Sequence, residues 1–455
     1  MAMADKNRVI HDPLHGGIRV DEVYMDILDR PEMQRLRSVR QLGLGNLVFP
    51  GANHTRFEHS LGVYHLAGRM ASALQMSREE TRTVRAAALL HDICHPPFSH
   101  TMEEILENEF GVDHMDLARK LIHGDVPHML DSDMDLFGGT EPISDLLKAA
   151  DIDPGAVCDL IEHPRSKSGG LDLFLSGDSP QSFFENKDYI HQIIHGPVDA
   201  DQMDYLLRDA HYTGVVLGTI DIDRLLSQIR IGKGKMVVGK GGIVATEGLM
   251  VSRALMYSSV YYHKTVRIAE MMLTKATEIS GADLSELYLM NDGMFINHIL
   301  RTGGRASELV RKVMNRRLYK NAYILQTTNL SDDAKAQLAK HAGYAGRKAL
   351  EAEIAHEAGL EDHEVVIDIP SRSTLLSSVK IGKTDVYIID DDGRMKPIFR
   401  ISPLARALQS REIFDWAITV SAPSEHTEKV MRASERVLSL DDSDGPEPGD
   451  LAGQT

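Results

Sequence analysis

The residues most able to do chemistry in this chain are its histidines and aspartates. Histidine occurs 21 times, and eleven of these fall within the first 128 residues. In HTRFEHS, His59 follows Arg56 and Glu58, and in ALLHDICHPPFSH, His91 and Asp92 stand side by side. Much further along, PVDADQMDYLLRD supplies Asp201. Two imidazoles and two carboxylates make a mixed nitrogen and oxygen donor set that suits one divalent ion such as Mg, Mn, Fe, Ni or Zn. Four protein ligands on a six-coordinate ion leave two positions for water and a phosphoryl oxygen, which is what a metal-assisted hydrolase needs. A single His-Asp dipeptide is more often an ordinary surface or core pair. Here the apolar run 86–90 leads straight into it and carries it inward. A buried carboxylate without a counter-charge is costly, and a metal removes that cost. Cys94, just beyond the pair, reads as a small buried residue and not as a ligand. The glycine-rich stretch GKGKMVVGKGG lacks the spacing of a phosphate-binding loop and reads as hairpin turns.

The elements that must position these residues are mostly helical. Apolar positions recur at three- and four-residue spacing over 22–41, 59–76, 79–94, 101–108, 114–123, 143–151 and 247–280. Asn53 and Thr55 precede the second of these, and Ser77 with Glu80 makes a capping box for the third. Residues 228–246 alternate short apolar runs with Gly and Lys, a hairpin signature set among helices. After about 281 short strands are expected at 323–327, 365–369, 379–381, 386–389 and 417–420, with helices near 332–358 and 425–438. The expected fold is mainly α: a helical core over 1–280 with a small β-hairpin insertion, a smaller α+β lobe over 281–440, and an acidic disordered tail over 441–455.

Fifty basic residues against 67 acidic ones give a net charge of −17, and five of the acids lie in the last fifteen residues. That balance argues against nonspecific nucleic-acid binding, where Lys and Arg must neutralise phosphates. A small anionic substrate would need a metal and a few placed arginines to overcome the field. No apolar run is long enough for a membrane span, and the polar N-terminus lacks the apolar stretch of a secretory signal. Two cysteines build no disulfide framework, which fits a cytoplasmic setting.

The longer strings around these histidines, DPLHGGI at 12–18, RLRSVRQLGLGNLVFPGANHTRFEHSLGV at 35–63, LLHDICHPPFSH at 89–100 and VDADQMDYLLRDAHYTGV at 198–215, carry a resemblance. They are similar to the HD-domain deoxynucleoside triphosphate triphosphohydrolases, in particular the branch with the sterile-α-motif/HD dNTPase, here without that motif. The resemblance covers residues 8–275 closely and the C-terminal lobe loosely. It implies cleavage of a dNTP by water to deoxynucleoside and inorganic triphosphate, with metal ligation by His59, His91, Asp92 and Asp201. It also implies catalytic roles for His95, His100 and His114. Expulsion of a 5′-alkoxide calls for a proton donor; His100 is the best candidate, with Glu103 one helical turn on to hold it.

In the same resemblance Arg56 and Lys264 would contact phosphate. Gln41 and Leu42 would lie against base and sugar, and Tyr205, Asp209, Arg253 and Tyr261 would complete the pocket, a tyrosine ring leaving no room for a 2′-hydroxyl. Read without it, Asp209 beside Arg208 would be a surface ion pair, and Tyr261 and Tyr262 packing residues. Arg8, Asp29, Gln34 and Arg37 match a site for a GTP or dGTP activator between subunits of a homo-oligomer, expected as a tetramer. Their other reading makes Asp29 a helix cap before Pro31, and Gln34 and Arg37 a solvated face. The sequence departs from the family pattern at Glu103 (Asp there), Gln202 (Lys there) and Tyr257 (His there). Other HD phosphohydrolases, acting on a nucleoside monophosphate, a cyclic nucleotide or a guanosine alarmone, share the short motif. A nucleotide sensor with a vestigial site is the non-enzymatic alternative.

Overall fold

The computed structural model describes residues 8–131, 133–134, 141–162, 187–327, 330–370, 385–409 and 416–438. The described residues form two compact units: Met1–Met256 with Asp283–Phe295 and Gly382–Gln409, and Tyr257–Ala282 with Ile296–Ile381 and Ser410–Thr455. No single cut near residue 280 separates them, because the chain returns to the first unit twice. The acidic tail and the expected strand at 379–381 lie outside the described residues.

The first unit begins with an antiparallel hairpin, β1 (Arg8–Asp12) and β2 (Gly16–Val20), which the sequence reading did not anticipate. Its turn is built by Asp12, whose Oδ1 accepts from the backbone amides of Leu14 and His15, each at 2.9 Å. The expected 22–41 helix is instead two short ones, α1 (Glu22–Leu28) and α2 (Pro31–Arg35), followed by a single tight turn. Pro31 at the first helical position forces the restart. Asp29 ends α1 and does not cap α2, which corrects the capping reading.

Next come α3 (Arg56–Ala73) and α4 (Arg78–Leu90), both opened by capping boxes: Thr55 with Glu58, and Ser77 with Glu80. α4 stops at Leu90, so His91 and Asp92 sit in the turn beyond it and not inside the helix, shorter than the expected 79–94. They are followed by α5 (His100–Phe110), α6 (His114–His123), α7 (Ile143–Ala149), α8 (Pro154–Ile161), α9 (Asp188–His195), α10 (Ala200–Thr213) and α11 (Ile222–Gln228).

The expected hairpin is β3 (Ile229–Gly232) with β4 (Lys235–Gly239), joined by the two-residue turn Lys233-Gly234, both at positive φ. Its partners come from far along the chain: β4 pairs in parallel with β7 (Tyr387–Ile389), which pairs with β8 (Met395–Pro397). β7 was expected as a strand of the C-terminal lobe, at 386–389, and β8 was not anticipated. α12 (Ile243–Met256) closes the first long stretch.

The expected 247–280 helix is likewise interrupted. A wider turn over Tyr257–Tyr261 separates α12 from α13 (Lys264–Glu278). The second unit holds α13, α15 (Gly304–Met314), α16 (Asp332–Leu338), α17 (Tyr344–Ala358) and α19 (Thr427–Leu438). α14 (Asp292–Thr302) begins in the first unit, and α18 (Pro403–Gln409) belongs to it. The sheet of the second unit is antiparallel, β5 (Lys320–Gln326) and β6 (Val366–Asp368) flanking β9 (Trp416–Ala422). Leu338, Leu350, Ile354, Ile367, Ile418, Val420 and Val430 form its core. This is the expected α+β lobe in kind, and the whole chain is mainly helical as expected. No helix among the described residues is long and apolar enough to cross a membrane.

Candidate metal centre

Three sequence segments far apart meet where α3, the turn after α4 and the first turn of α10 come together. His59 is buried on α3, and its Nε2 lies 3.1 Å from Asp201 Oδ1 and 3.7 Å from Asp92 Oδ2. His91 Nε2 lies 3.4 Å from Asp92 Oδ1 and 3.9 Å from Asp201 Oδ1. The ligand atoms of His59, His91 and Asp201 all fall within 4.8 Å of one another. The other ring nitrogens are spoken for: His91 Nδ1 donates to the Ala88 carbonyl at 2.9 Å, and His59 Nδ1 to Asp204 Oδ2 at 2.9 Å. In the neutral form each ring therefore has its lone pair on Nε2, and both Nε2 atoms are buried without a hydrogen-bond partner. Two orphaned imidazole nitrogens facing two carboxylates fit a divalent cation, and His59, His91, Asp92 and Asp201 would hold it.

The electrostatics agree. Burial disfavours charge on Asp92, yet the guanidinium of Arg56 and the imidazoles of His91, His95 and His59 hold it well below the usual carboxylate range. Burial likewise opposes charge on His59, but the carboxylates of Asp201 and Asp204 outweigh it and push the ring up to about 10. A cation can stand in the place of that proton.

Beside this cluster lies a second group. His95 Nε2 is 3.4 Å from Asp92 Oδ1, and its ring stacks on His114 with centroids 4.0 Å apart. Glu103 binds two histidines at once: Oε2 meets His100 Nδ1 at 2.8 Å, and Oε1 meets His114 Nδ1 in a short contact. α5 starts at His100, so the expected spacing of one turn to Glu103 is what forms. The two histidines differ in setting, since the His100 side chain is 75% exposed and that of His114 is 14% exposed. Burial and Arg56 hold His95 well below its ordinary pKa. Burial also works against charge on His114, but Glu103 overcomes it and raises the pKa. Glu103 itself, buried yet hydrogen-bonded by both histidines, lies well below its usual range.

The segment joining these groups is strained. Phe98 and Ser99 have φ of 56° and 54°, which non-glycine residues adopt only when their surroundings enforce it. Asp292 accepts from the Phe98 amide at 2.9 Å and the Arg40 amide at 3.2 Å, and Ser99 Oγ donates to the Arg40 carbonyl at 2.9 Å. Arg35 donates to the carbonyls of Ile93 and His95.

The expected nucleotide contacts are distributed unevenly. Arg56 donates to Asp92 Oδ2 at 2.5 Å and to Ser99 Oγ at 3.0 Å, so it is first a brace for the cluster; its Nη2 stays buried without a partner. Gln41 is buried with Oε1 unpartnered, and Leu42 is half-buried beside it in sequence. Asp209 is not a surface ion pair with Arg208. Both are buried; Asp209 Oδ1 meets His54 Nε2 at 2.8 Å, and Arg208 turns to Asp204 and Asp12. Tyr205 is on α10 and Arg253 on α12, both half-buried. Tyr261 and Lys264 belong to the second unit, Tyr261 within the wide turn and Lys264 at the start of α13. Cys94 is fully buried, as expected for a packing residue. Of the remaining four residues, Arg8 lies 4.0 Å from Asp29 with both side chains exposed. Arg37 Nε donates to Gln34 Oε1 at 2.8 Å, and its guanidinium lies over the Phe57 ring.

Sequence reasoning missed His15, His54, Asp204 and Asp292 as residues that shape the site. Asp204 left one trace: 201, 204, 205, 208 and 209 share one face of α10, a polar stripe at helical spacing on a helix that must be buried.

Residues 56–206 match the HD domain, and residues 220–447 the HD-associated region. The chain belongs to the HD-domain phosphohydrolase family. An uncharacterized protein from Methanocaldococcus jannaschii is 35% identical over 92% of this chain and 80% of its own length. The deoxynucleoside triphosphate triphosphohydrolase SAMHD1 of Bos taurus is 27% identical over 80% of this chain and 66% of its own. Among solved structures, a hypothetical protein from Aquifex aeolicus superposes with a TM-score of 0.64 at 27% identity, covering 94% of this chain and 99% of that one. The HD domain thus contains all four candidate ligands, and the HD-associated region begins beyond α10.

Proposed function

We propose that this HD phosphohydrolase cleaves deoxynucleoside triphosphates to deoxynucleoside and inorganic triphosphate. The observation that carries the proposal is the pair of buried, unpartnered Nε2 atoms of His59 and His91 facing Asp92 and Asp201. The similarity to a relative named as a dNTP triphosphohydrolase supplies the substrate class. A divalent cation, when bound, supplies Lewis-acid polarisation of the phosphoryl group.

The chain's own groups do the rest. Water attacks the α-phosphorus, the bond to O5′ breaks, and the departing alkoxide needs a proton. In this reading His100, on the accessible side, gives it, and Glu103 holds that ring and His114 on its two oxygens. Against burial, Glu103 also raises the pKa of His114. The proton released by the attacking water, passed through solvent, restores the donor His100, so that one water is consumed and no net proton is left over. The free Nη2 of Arg56 and the Oε1 of Gln41 are the groups left for phosphate and for base or sugar. Leu42, Tyr205, Asp209 and Arg253, all of the first unit, complete the proposed pocket, with Asp209 accepting from a 3′-hydroxyl.

For the activator, Asp29 can accept both the N1 and N2 hydrogens of guanine, a pair that adenine does not offer, while Arg8 and Arg37 suit its phosphates. GTP or dGTP bound there would favour a homotetramer.

Incubating the purified protein with each dNTP in Mg or Mn, with and without GTP, and separating the products tests the proposal. Deoxynucleoside with triphosphate is expected. Release of orthophosphate or pyrophosphate instead would move the chain to another HD phosphohydrolase reaction, and absence of any turnover would leave a nucleotide sensor.

A further inference from the structure

We propose that Asp204 is the positioning residue of the metal centre, and that His15, from the β1–β2 turn, belongs to that centre as the group that orients Asp204. The proposal rests on the metal reading above.

Asp204 is fully buried on α10, one turn beyond Asp201. Its Oδ2 accepts from His59 Nδ1 at 2.9 Å and from Arg208 Nε at 2.8 Å. Its Oδ1 accepts from His15 Nε2 at 2.7 Å and Arg208 Nη2 at 3.0 Å. Four donors fill the lone-pair sites of one carboxylate, so Asp204 has no capacity left for substrate or metal. Its contact with His59 instead decides which nitrogen carries the proton. With Nδ1–H held, Nε2 is the lone pair, and that is the atom left buried and unpartnered beside Asp201. A carboxylate behind a ligating imidazole fixes its ring orientation and strengthens it as a donor.

The N-terminal hairpin is built into the same arrangement. Arg208 Nη1 pairs with Asp12 Oδ2 at 2.8 Å, while Asp12 Oδ1 folds the turn that presents His15. The His15 side chain is only 5% exposed, and its ring lies 5.1 Å from that of His65. α3 makes room for the carboxylate with Gly62, where a Cβ would stand 1.9 Å from Asp204 Oδ1. The competing explanation is a buried ion network that only anchors the hairpin.

Calorimetric titration of the full chain with Mn2+ separates the two, with circular dichroism as the check on folding. Asp204→Asn is expected to weaken Mn2+ binding by roughly 10–100-fold. Because that variant also unbalances buried Arg208, two substitutions at His15 give an independent reading. His15→Gln keeps an N–H for Asp204 and loses the ring; His15→Phe keeps the ring and loses the N–H. Positioning requires Gln to bind Mn2+ like the wild type and Phe to bind it at least about threefold more weakly. The reverse order, or unchanged affinity in Asp204→Asn, overturns the proposal while leaving the metal centre in place. A wild-type chain that binds no Mn2+ overturns both.

Discussion

Asp201 is the candidate ligand whose removal is least confounded by packing, because its side chain is 27% exposed while those of His59, His91 and Asp92 are buried. Asp201→Ala is therefore expected to keep the fold by circular dichroism and to lose Mn2+ binding and nucleotide turnover; undiminished hydrolysis would remove the metal reading. A different histidine sets a pH dependence of stability. Burial, and then the neighbouring His15, hold His65 down at about 4, against an ordinary 6.5. The unfolded chain takes up that proton near pH 6.5, whereas the folded chain refuses it until about pH 4. Stability from this group is thus fully present above 6.5 and is lost as pH falls towards 4. Tm measured across that window should fall less steeply in His65→Gln than in the wild type. At this scale the donor types were legible in HTRFEHS, HDICH and VDADQMD. Their second partners were not, because a hydrogen bond between residues 15 and 204 or 54 and 209 leaves no local spacing to read.

Helices α3 and α10 approach so closely that a methyl group decides whether the site survives. At Gly62 a Cβ would come within 1.9 Å of Asp204 Oδ1 and 2.6 Å of Arg208 Nη2, both fully buried. Gly62→Ala is expected to cost about 1–3 kcal/mol, the usual penalty for overpacking, and to weaken Mn2+ binding in step because Asp204 must move. A Tm and a calorimetric titration equal to wild type would contradict this. The loop before α5 shows the same economy: Asp292, from the start of α14, pins the amide of Phe98 at positive φ and so aims His95 and His100 from one strained turn. The capping box of Ser77 and Glu80 made the start of α4 readable in advance, whereas α3 begins at Arg56, ahead of the expected 59. The breaks were harder, since the apolar period runs on through Pro31 and through Tyr257–Tyr261 while the backbone does not.

Over the whole molecule the net charge of −17 opposes an anionic ligand, so binding of a triphosphate must come from local cations and should strengthen as salt is lowered only where arginines face it. The exposed Arg8 beside Asp29, and Arg37 beside Gln34, are the surface cations proposed for the activator. If they take a guanine nucleotide, sedimentation should show GTP driving the chain to a larger assembly, with Arg8→Ala needing about tenfold more GTP, the equivalent of about 1.4 kcal/mol. An assembly state indifferent to GTP in both proteins would set the activator aside and leave the hydrolase untouched.

The sequence alone determined the helical class, a hairpin within 228–246, the α+β character of the later chain and four candidate donor side chains. Those depend on periodicity, turn chemistry and residue type, all of which are local. Only the tertiary structure decided that Asp204 backs His59, that Arg56 braces Asp92, and that strands near 390 complete a sheet begun at 229. Such pairings are chosen by which buried charges must be satisfied once distant segments meet, and that condition exists only in the folded chain.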